Sequence, residues 1–226
     1  MMLNIKENIE EIVKTLPEGV RLIAVSKTKP VEYIEEAYAG GQRAFGENRP
    51  QEMAAKYRQL PKDIEWHFIG HLQTNKIKYM APYVAMIHGI DSYKLLVEVN
   101  KQAAKVERTI KCLLQLHIAQ EETKFGFSAE ECREMLSAGT WKELKNVQIC
   151  GLMGMASNTD DVEQIDREFC SLNSLFKELK ATYFSHSDTF CELSMGMSHD
   201  YPQAIAEGST LVRIGSKIFG ERDYNI

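Results

Sequence analysis

The chain of 226 residues has only five cysteines, Cys112, Cys132, Cys150, Cys170 and Cys191, and no two of them form a Cys-x-x-Cys pair. An odd number of scattered thiols argues against a disulfide framework and predicts inert, reduced cysteines in a cytoplasmic protein. No base is spaced to activate any of them as a nucleophile. Long apolar runs are missing as well: nothing approaches the ~18 residues of a membrane-spanning helix. The first eleven residues carry Lys6, Glu7, Glu10 and Glu11, so the apolar core of a signal peptide is absent. There is no basic block, and 27 Lys and Arg against 32 Asp and Glu leave a net charge of -5, which argues against a general nucleic-acid binder. The two tryptophans, Trp66 and Trp141, stand outside any basic-aromatic pattern and read as core packing. Linkers rich in Pro, Gly or Ser are also lacking, which predicts one domain over residues 1–226.

What is present is ordinary in amount, 44% hydrophobic and 26% charged, but regular in arrangement. An amphipathic pattern over 4–15 precedes an alternation of short apolar runs and helical patterns. Strands are predicted at 22–25, 43–45, 65–69, 85–90, 112–118, 147–152, 192–194 and 211–214. Helices are predicted between them at 31–39, 49–59, 74–80, 93–105, 129–138, 162–180 and 201–207. Short apolar strands separated by helices mean a parallel sheet buried on both faces. Eight such units point to an α/β fold, a (β/α)8 TIM barrel, with a doubly wound open sheet as the alternative.

Active sites of such barrels form at the carboxyl ends of the strands, so the residues following each run carry the functional reading. Lys27 lies two residues past the first run. It is either a solvated surface lysine or an amine made nucleophilic by desolvation, as Schiff-base chemistry requires. After the seventh run comes Ser194-Met195-Gly196-Met197-Ser198-His199-Asp200, and after the eighth Gly215-Ser216-Lys217. Glycine-rich turns at these two positions read as a phosphate cradle or as tight strand-to-helix connections. Arg213, inside the eighth run, is either one half of a structural ion pair or a ligand contact at the barrel mouth. His67 is expected to line the site near the mouth, and His71 to be a satisfied structural histidine. Met195 could wall a flat ligand, although core packing is the plainer role. His88, His117, His186 and His199 form no cluster in sequence, and no metal site is expected.

With these residues in place, the chain resembles the pyridoxal phosphate (PLP) homeostasis protein family. The resemblance is carried by Val25-Ser26-Lys27-Thr28, Phe45-Gly46-Glu47-Asn48-Arg49, and the run from Trp66 to Lys76. It continues through Gly151-Leu152-Met153, the run from Leu193 to Ser198, and Val212-Arg213-Ile214-Gly215. It implies a barrel similar to the amino-terminal domain of alanine racemase, with PLP as cofactor held as a Schiff base on Lys27. It further implies that Asn48 lines the pocket, that Ser194, Gly196, Gly215 and Ser216 hold the phosphate, and that Arg213 faces the pyridine nitrogen. Ser216-Lys217 replaces the family's more usual threonine and alanine and keeps the hydroxyl.

A fixed arginine cation disfavours a second positive charge on the ring, which weakens the cofactor as an electron sink. Racemases of this kind add a second base from a further carboxyl-terminal domain, for which the twelve residues after 214 leave no room. The expected function is therefore intracellular PLP carriage and vitamin B6 homeostasis without turnover, in a monomer that serves PLP-dependent apoenzymes. An amino-acid racemase using a base such as Lys124 is the alternative, and an interaction protein with PLP as a structural ligand is a third reading.

Overall fold

The eight short apolar runs become eight parallel strands in a computed structural model that describes residues 4–120 and 125–221. The strands are β1 (Arg21–Val25), β2 (Ala44–Glu47), β3 (Glu65–Phe68), β4 (Met86–Ile90), β5 (Ile110–Gln115), β6 (Val147–Met153), β7 (Glu192–Ser194) and β8 (Leu211–Ile214). Each pairs with the next, and β1 pairs with β8 through Ile23 and Arg213, so the sheet closes into a barrel and the open-sheet alternative falls. The chain is a (β/α)8 barrel.

Helices alternate with the strands: α1 (Ile5–Thr15), α2 (Val31–Ala39), α3 (Pro50–Gln59), α4 (Tyr93–Lys105), α5 (Ala129–Ala138), α6 (Val162–Tyr183), α7 (Tyr201–Ala206) and α8 (Ser216–Phe219). Their starts follow from local chemistry. Asn4, Ser92, Ser128 and Asp161 each accept a backbone N–H of the first turn, and Ser128 with Glu131 forms a reciprocal capping box. Pro50 opens α3, where a missing N–H costs nothing.

Three local expectations change. Residues 74–80 form a 3-10 turn, Thr74–Tyr79, instead of an α-helix. β5 begins two residues earlier than expected and stops at Gln115: Leu116 N–H still donates to the Met153 carbonyl of β6, but His117 turns to bond Phe127. The four-residue helix α8 was not anticipated from the sequence, being too short to show a period. α1 packs beside it and α2: Asn8 Nδ2 donates to the Ile218 carbonyl, and Ile5 N–H to Glu36.

Two apolar layers result. A large cluster that includes Phe45, Trp66, Phe68, Phe169 and Phe190 fills the space between barrel and helices. A small separate cluster, Ile23, Met86, Leu113, Cys150, Met153 and Leu211, fills part of the barrel interior. Further interior positions hold His67, His88, Ser194 and Arg213, all at least 96% buried. Polar side chains so deep must satisfy one another.

Candidate functional site

β1 ends at Val25, and the turn that follows carries Lys27. The turn is tight: Lys29 N–H donates to the Ser26 carbonyl, and Thr28 takes φ of 63°, a left-handed conformation costly for a residue with a β-branched side chain. Glu52 on α3 offsets that cost by accepting the Thr28 N–H at 2.6 Å. One helical turn further, Lys56 Nζ donates to the Ser26 carbonyl at 2.8 Å, to Glu52 at 2.7 Å and to Glu47 at 2.8 Å. Ser26 Oγ donates to the same Glu47 oxygen at 2.6 Å. The residues on both sides of Lys27 are thereby fixed to α3 and to the end of β2. Burial pushes the Glu47 carboxyl above its ordinary range, and the contacts with Lys56 and Ser26 pull it back down.

The half-buried Lys27 lines a mouth cavity of about 270 Å³, at the small end of ligand pockets. Val25, Ile69, Met155 and Met197 give it apolar walls; Arg213, Gly215, Ser216, Ser198 and His199 give it polar ones. Asp200, 1% exposed, accepts the Met197 N–H and so holds the loop that presents Met197 and Ser198. Ser198 Oγ in turn accepts the Gly215 N–H at 3.2 Å, joining the loops after β7 and β8. Desolvation lowers Arg213 to about 10, with Asp200 opposing the shift, so the guanidinium remains charged at neutral pH. Lys217 lies over the Tyr201 ring, 4.8 Å from its centroid.

Four expected residues therefore meet around one cavity: Lys27, Arg213, Gly215 and Ser216. Five stand elsewhere. Ser194 was expected at the phosphate, yet its buried hydroxyl contacts Arg213 at 2.7 Å and His88 at 2.9 Å, behind the cavity wall. His67 was expected near the mouth; it is 2% exposed, and its Nε2 points to Glu65 at the amino end of β3, 3.9 Å away. Met195 is fully buried in the outer core and is not among the residues that line this cavity.

Gly196 has φ of 94°, and a Cβ there would sit 2.6 Å from Ala204 Cβ. It is not among the lining residues, and any side chain there would strike Ala204 and Tyr201 of α7. Asn48 is also not among the lining residues; it packs on Gly70, and its buried Oδ1 has no hydrogen-bond partner among the described residues. His71 sits at the rim, paired with Asp91 at 3.0 Å. Lys124 lies outside the described residues.

Reasoning from sequence missed Lys56, Glu52 and Glu47 as supports of the lysine turn. The i, i+4 spacing of Glu52 and Lys56 was the available signal, but on a helix it also reads as a solvated pair. Ser198 was not singled out as a site residue within its glycine-containing run, whereas it lines the cavity and links both loops. His88 was set aside as isolated, and it lies 2.9 Å from His67.

A closed (β/α)8 barrel with a lysine after β1 and an arginine in β8 facing one mouth cavity belongs to the class of alanine racemase amino-terminal domains. The family model described as alanine racemase, N-terminal domain, matches residues 2–223. Within that class the likeness is narrower. A curated protein of Aquifex aeolicus named pyridoxal phosphate homeostasis protein is 42% identical over 205 residues, covering 90% of this chain and 88% of its own. The protein of the same name from Escherichia coli K12 is 39% identical, covering 92% and 88%. PipY of Synechococcus elongatus, solved without PLP, superposes with a TM-score of 0.90 at 37% identity over 96% of this chain and all of that one. PipY was also solved with PLP bound, and that structure gives a TM-score of 0.86. An alanine racemase of Clostridium difficile shares the fold at 13% identity and a TM-score of 0.76, with 58% of its length covered. The chain belongs to the pyridoxal phosphate homeostasis protein family.

Proposed function

We propose that the mouth cavity binds pyridoxal 5'-phosphate and that the protein acts in intracellular vitamin B6 homeostasis as a carrier, without turnover of its own. The observation that carries this is the donor set of one cavity: the amines of Lys27 and Lys29, the second donating to the Glu221 carbonyl, a guanidinium, an imidazole, two hydroxyls and apolar flanks. That set fits a flat ring bearing an aldehyde and a phosphate. Bound there, PLP supplies an aldehyde that condenses with an amine and a conjugated ring that absorbs near-visible light.

Lys27 Nζ provides the amine, and the clamp from Lys56 and Glu52 holds its backbone. The Ser198 and Ser216 hydroxyls provide the phosphate donors, and the Gly215 N–H holds Ser198 in place. Arg213 sets a permanent positive charge in the wall, which disfavours protonation of a ring nitrogen facing it. Val25, Ile69, Met155 and Met197 exclude water from the ring faces. Close relatives are curated under a homeostasis name and racemases share only the fold, which supports a carrier over a racemase. The unpaired cysteines favour a reducing cytoplasm, in which the protein would act as a monomer with PLP-dependent apoenzymes as clients.

The test is the absorbance of purified protein before and after borohydride reduction, followed by peptide mapping. A reduced adduct on Lys27, lost in Lys27→Ala, is expected, together with no exchange of the α-hydrogen of alanine for deuterium. An adduct on another lysine would overturn the site, and rapid exchange would favour the racemase.

A further inference from the structure

The barrel interior holds a chain of polar groups that the lysine site does not use. Arg213 Nη1 lies 2.7 Å from Ser194 Oγ, which lies 2.9 Å from His88 Nδ1. His88 Nε2 lies 2.9 Å from His67 Nδ1, and His67 Nε2 approaches Glu65 to 3.9 Å. Ser194 and His88 are fully buried, and the chain crosses from the cavity wall toward the amino ends of the strands. There Glu65, Arg21 and Glu192 cluster, with Arg21 2.6 Å from Glu192. Arg213 Nη2 is tied separately, to the Gly154 carbonyl at 3.0 Å.

Both ends of this chain set the same direction. An arginine only donates, so Ser194 Oγ accepts from it and has one proton of its own to place. Its other contact is His88 Nδ1, which therefore accepts and leaves the His88 proton on Nε2. That proton goes to His67 Nδ1, and the His67 proton then sits on Nε2, facing the Glu65 carboxylate. In the reverse direction the buried Ser194 proton would have no partner, and a bare His67 lone pair would face a carboxylate. The first fault strands a buried donor. The second only turns a lone pair toward a carboxylate 3.9 Å away, too far for a hydrogen bond. The arginine end therefore decides, and the forward direction wins. Burial depresses both imidazole pKa values, and for His88 the neighbouring His67 and Arg213 push further down, so both rings are neutral. At the far end the His67 N–H is the largest influence holding Glu65 below its ordinary range.

We infer that His67 and His88 are positioning residues for Arg213: acting through Ser194, a one-way hydrogen-bond chain locks the guanidinium that faces the cavity. Two discrete donors fix Arg213, one to Ser194 and one to Gly154, and its remaining N–H groups are left aimed away from the chain. Only the identity of the ligand that meets them rests on the reading of the cavity given above.

The test uses the ligand-free protein labelled with nitrogen-15. Long-range nitrogen–proton correlation at neutral pH should show both His67 and His88 as Nε2–H tautomers. Ser194→Ala, a small change in a fully buried site, should leave His67 as Nε2–H. The same variant should merge the separate Arg213 Nη proton signals, because rotation of the freed guanidinium accelerates. A Nδ1–H tautomer or an imidazolium at either position in the wild type would overturn the chain. Arg213 signals unchanged in Ser194→Ala would overturn its positioning role. Neither readout requires PLP, so failure of the cofactor reading shows separately, as an absent borohydride adduct.

Discussion

Lys56 Nζ lies 2.8 Å from Glu47 Oε1, and the two side chains are 6% and 0% exposed. One buried ammonium thus ties the end of β2, the carbonyl of Ser26 and helix α3 together beside Lys27, which lines the mouth cavity. Breaking a buried pair by removing one partner leaves an uncompensated charge and costs about 3–5 kcal/mol. Lys56→Met is expected to lose that much at neutral pH, measured from urea midpoints. The loss depends on pH with a definite sign. Glu47 has a raised pKa in the fold, so its protonated form favours the folded state, and stability from this group falls as pH rises through the raised value. Without Lys56 the pKa rises further, so the deficit of the variant should shrink between about pH 7 and about pH 4.5. An equal deficit at both would mean that Lys56 acts by packing alone.

The contrast between Lys56 and Lys27 shows what was legible beforehand. The barrel could be read because strands buried on both faces look different from the helices between them, down to the three-residue β7. Lys27, Gly215 and Ser216 could be placed because they follow strands, where a barrel puts its loops. Depth could not be read. Ser194 and Ser198 are four residues apart in one glycine-containing run, yet one hydroxyl is sealed in the barrel and the other lines the cavity. His67 and His88 are 21 residues apart and meet only because adjacent strands both turn them inward. Such pairings depend on barrel closure and register, which no local pattern carries.

The phosphate reading predicts a selective loss. Ser216 sits on the cavity wall and Ser198 bridges the two loops, so each hydroxyl is placed to bond a charged oxygen. A hydrogen bond to a charged group contributes about 1.5–3 kcal/mol, so Ser216→Ala should weaken PLP binding roughly tenfold or more in equilibrium dialysis. Pyridoxal, which lacks the phosphate, should bind wild type and variant alike. A parallel loss for pyridoxal would place Ser216 away from the phosphate.

Two glycines with positive φ should respond very differently to alanine. At Gly151 an added Cβ would lie 1.7 Å from the Glu192 carbonyl oxygen, part of the backbone of the paired strand β7. Gly151→Ala cannot keep that pairing, and soluble folded protein is not expected. Gly139 caps α5 at φ of 74° with its nearest neighbour at 4.0 Å, so alanine there meets only the left-handed backbone cost of about 1–2 kcal/mol. Circular dichroism and thermal midpoints of both variants check this. A cooperative, near-native melt for Gly151→Ala would contradict the β6–β7 register.

The cysteines give a count that tests burial across the whole barrel. Cys170 and Cys191 are exposed, whereas Cys112, Cys132 and Cys150 are buried. Desolvation pushes the Cys132 thiol up to about 12 and that of Cys150 to about 11, and it raises Cys112 as well. Thiolate is the reactive form, so at mildly alkaline pH these three are both shielded and protonated. An aromatic disulfide reagent should therefore titrate two thiols of five in the native protein and all five in denaturant. Because Cys112 and Cys150 stand on neighbouring strands β5 and β6, their reaction requires the barrel to open. Their slow labelling should then follow the global unfolding rate and slow further when a ligand stabilises the fold. A third fast thiol in the native state would show that the β5–β6 side opens locally.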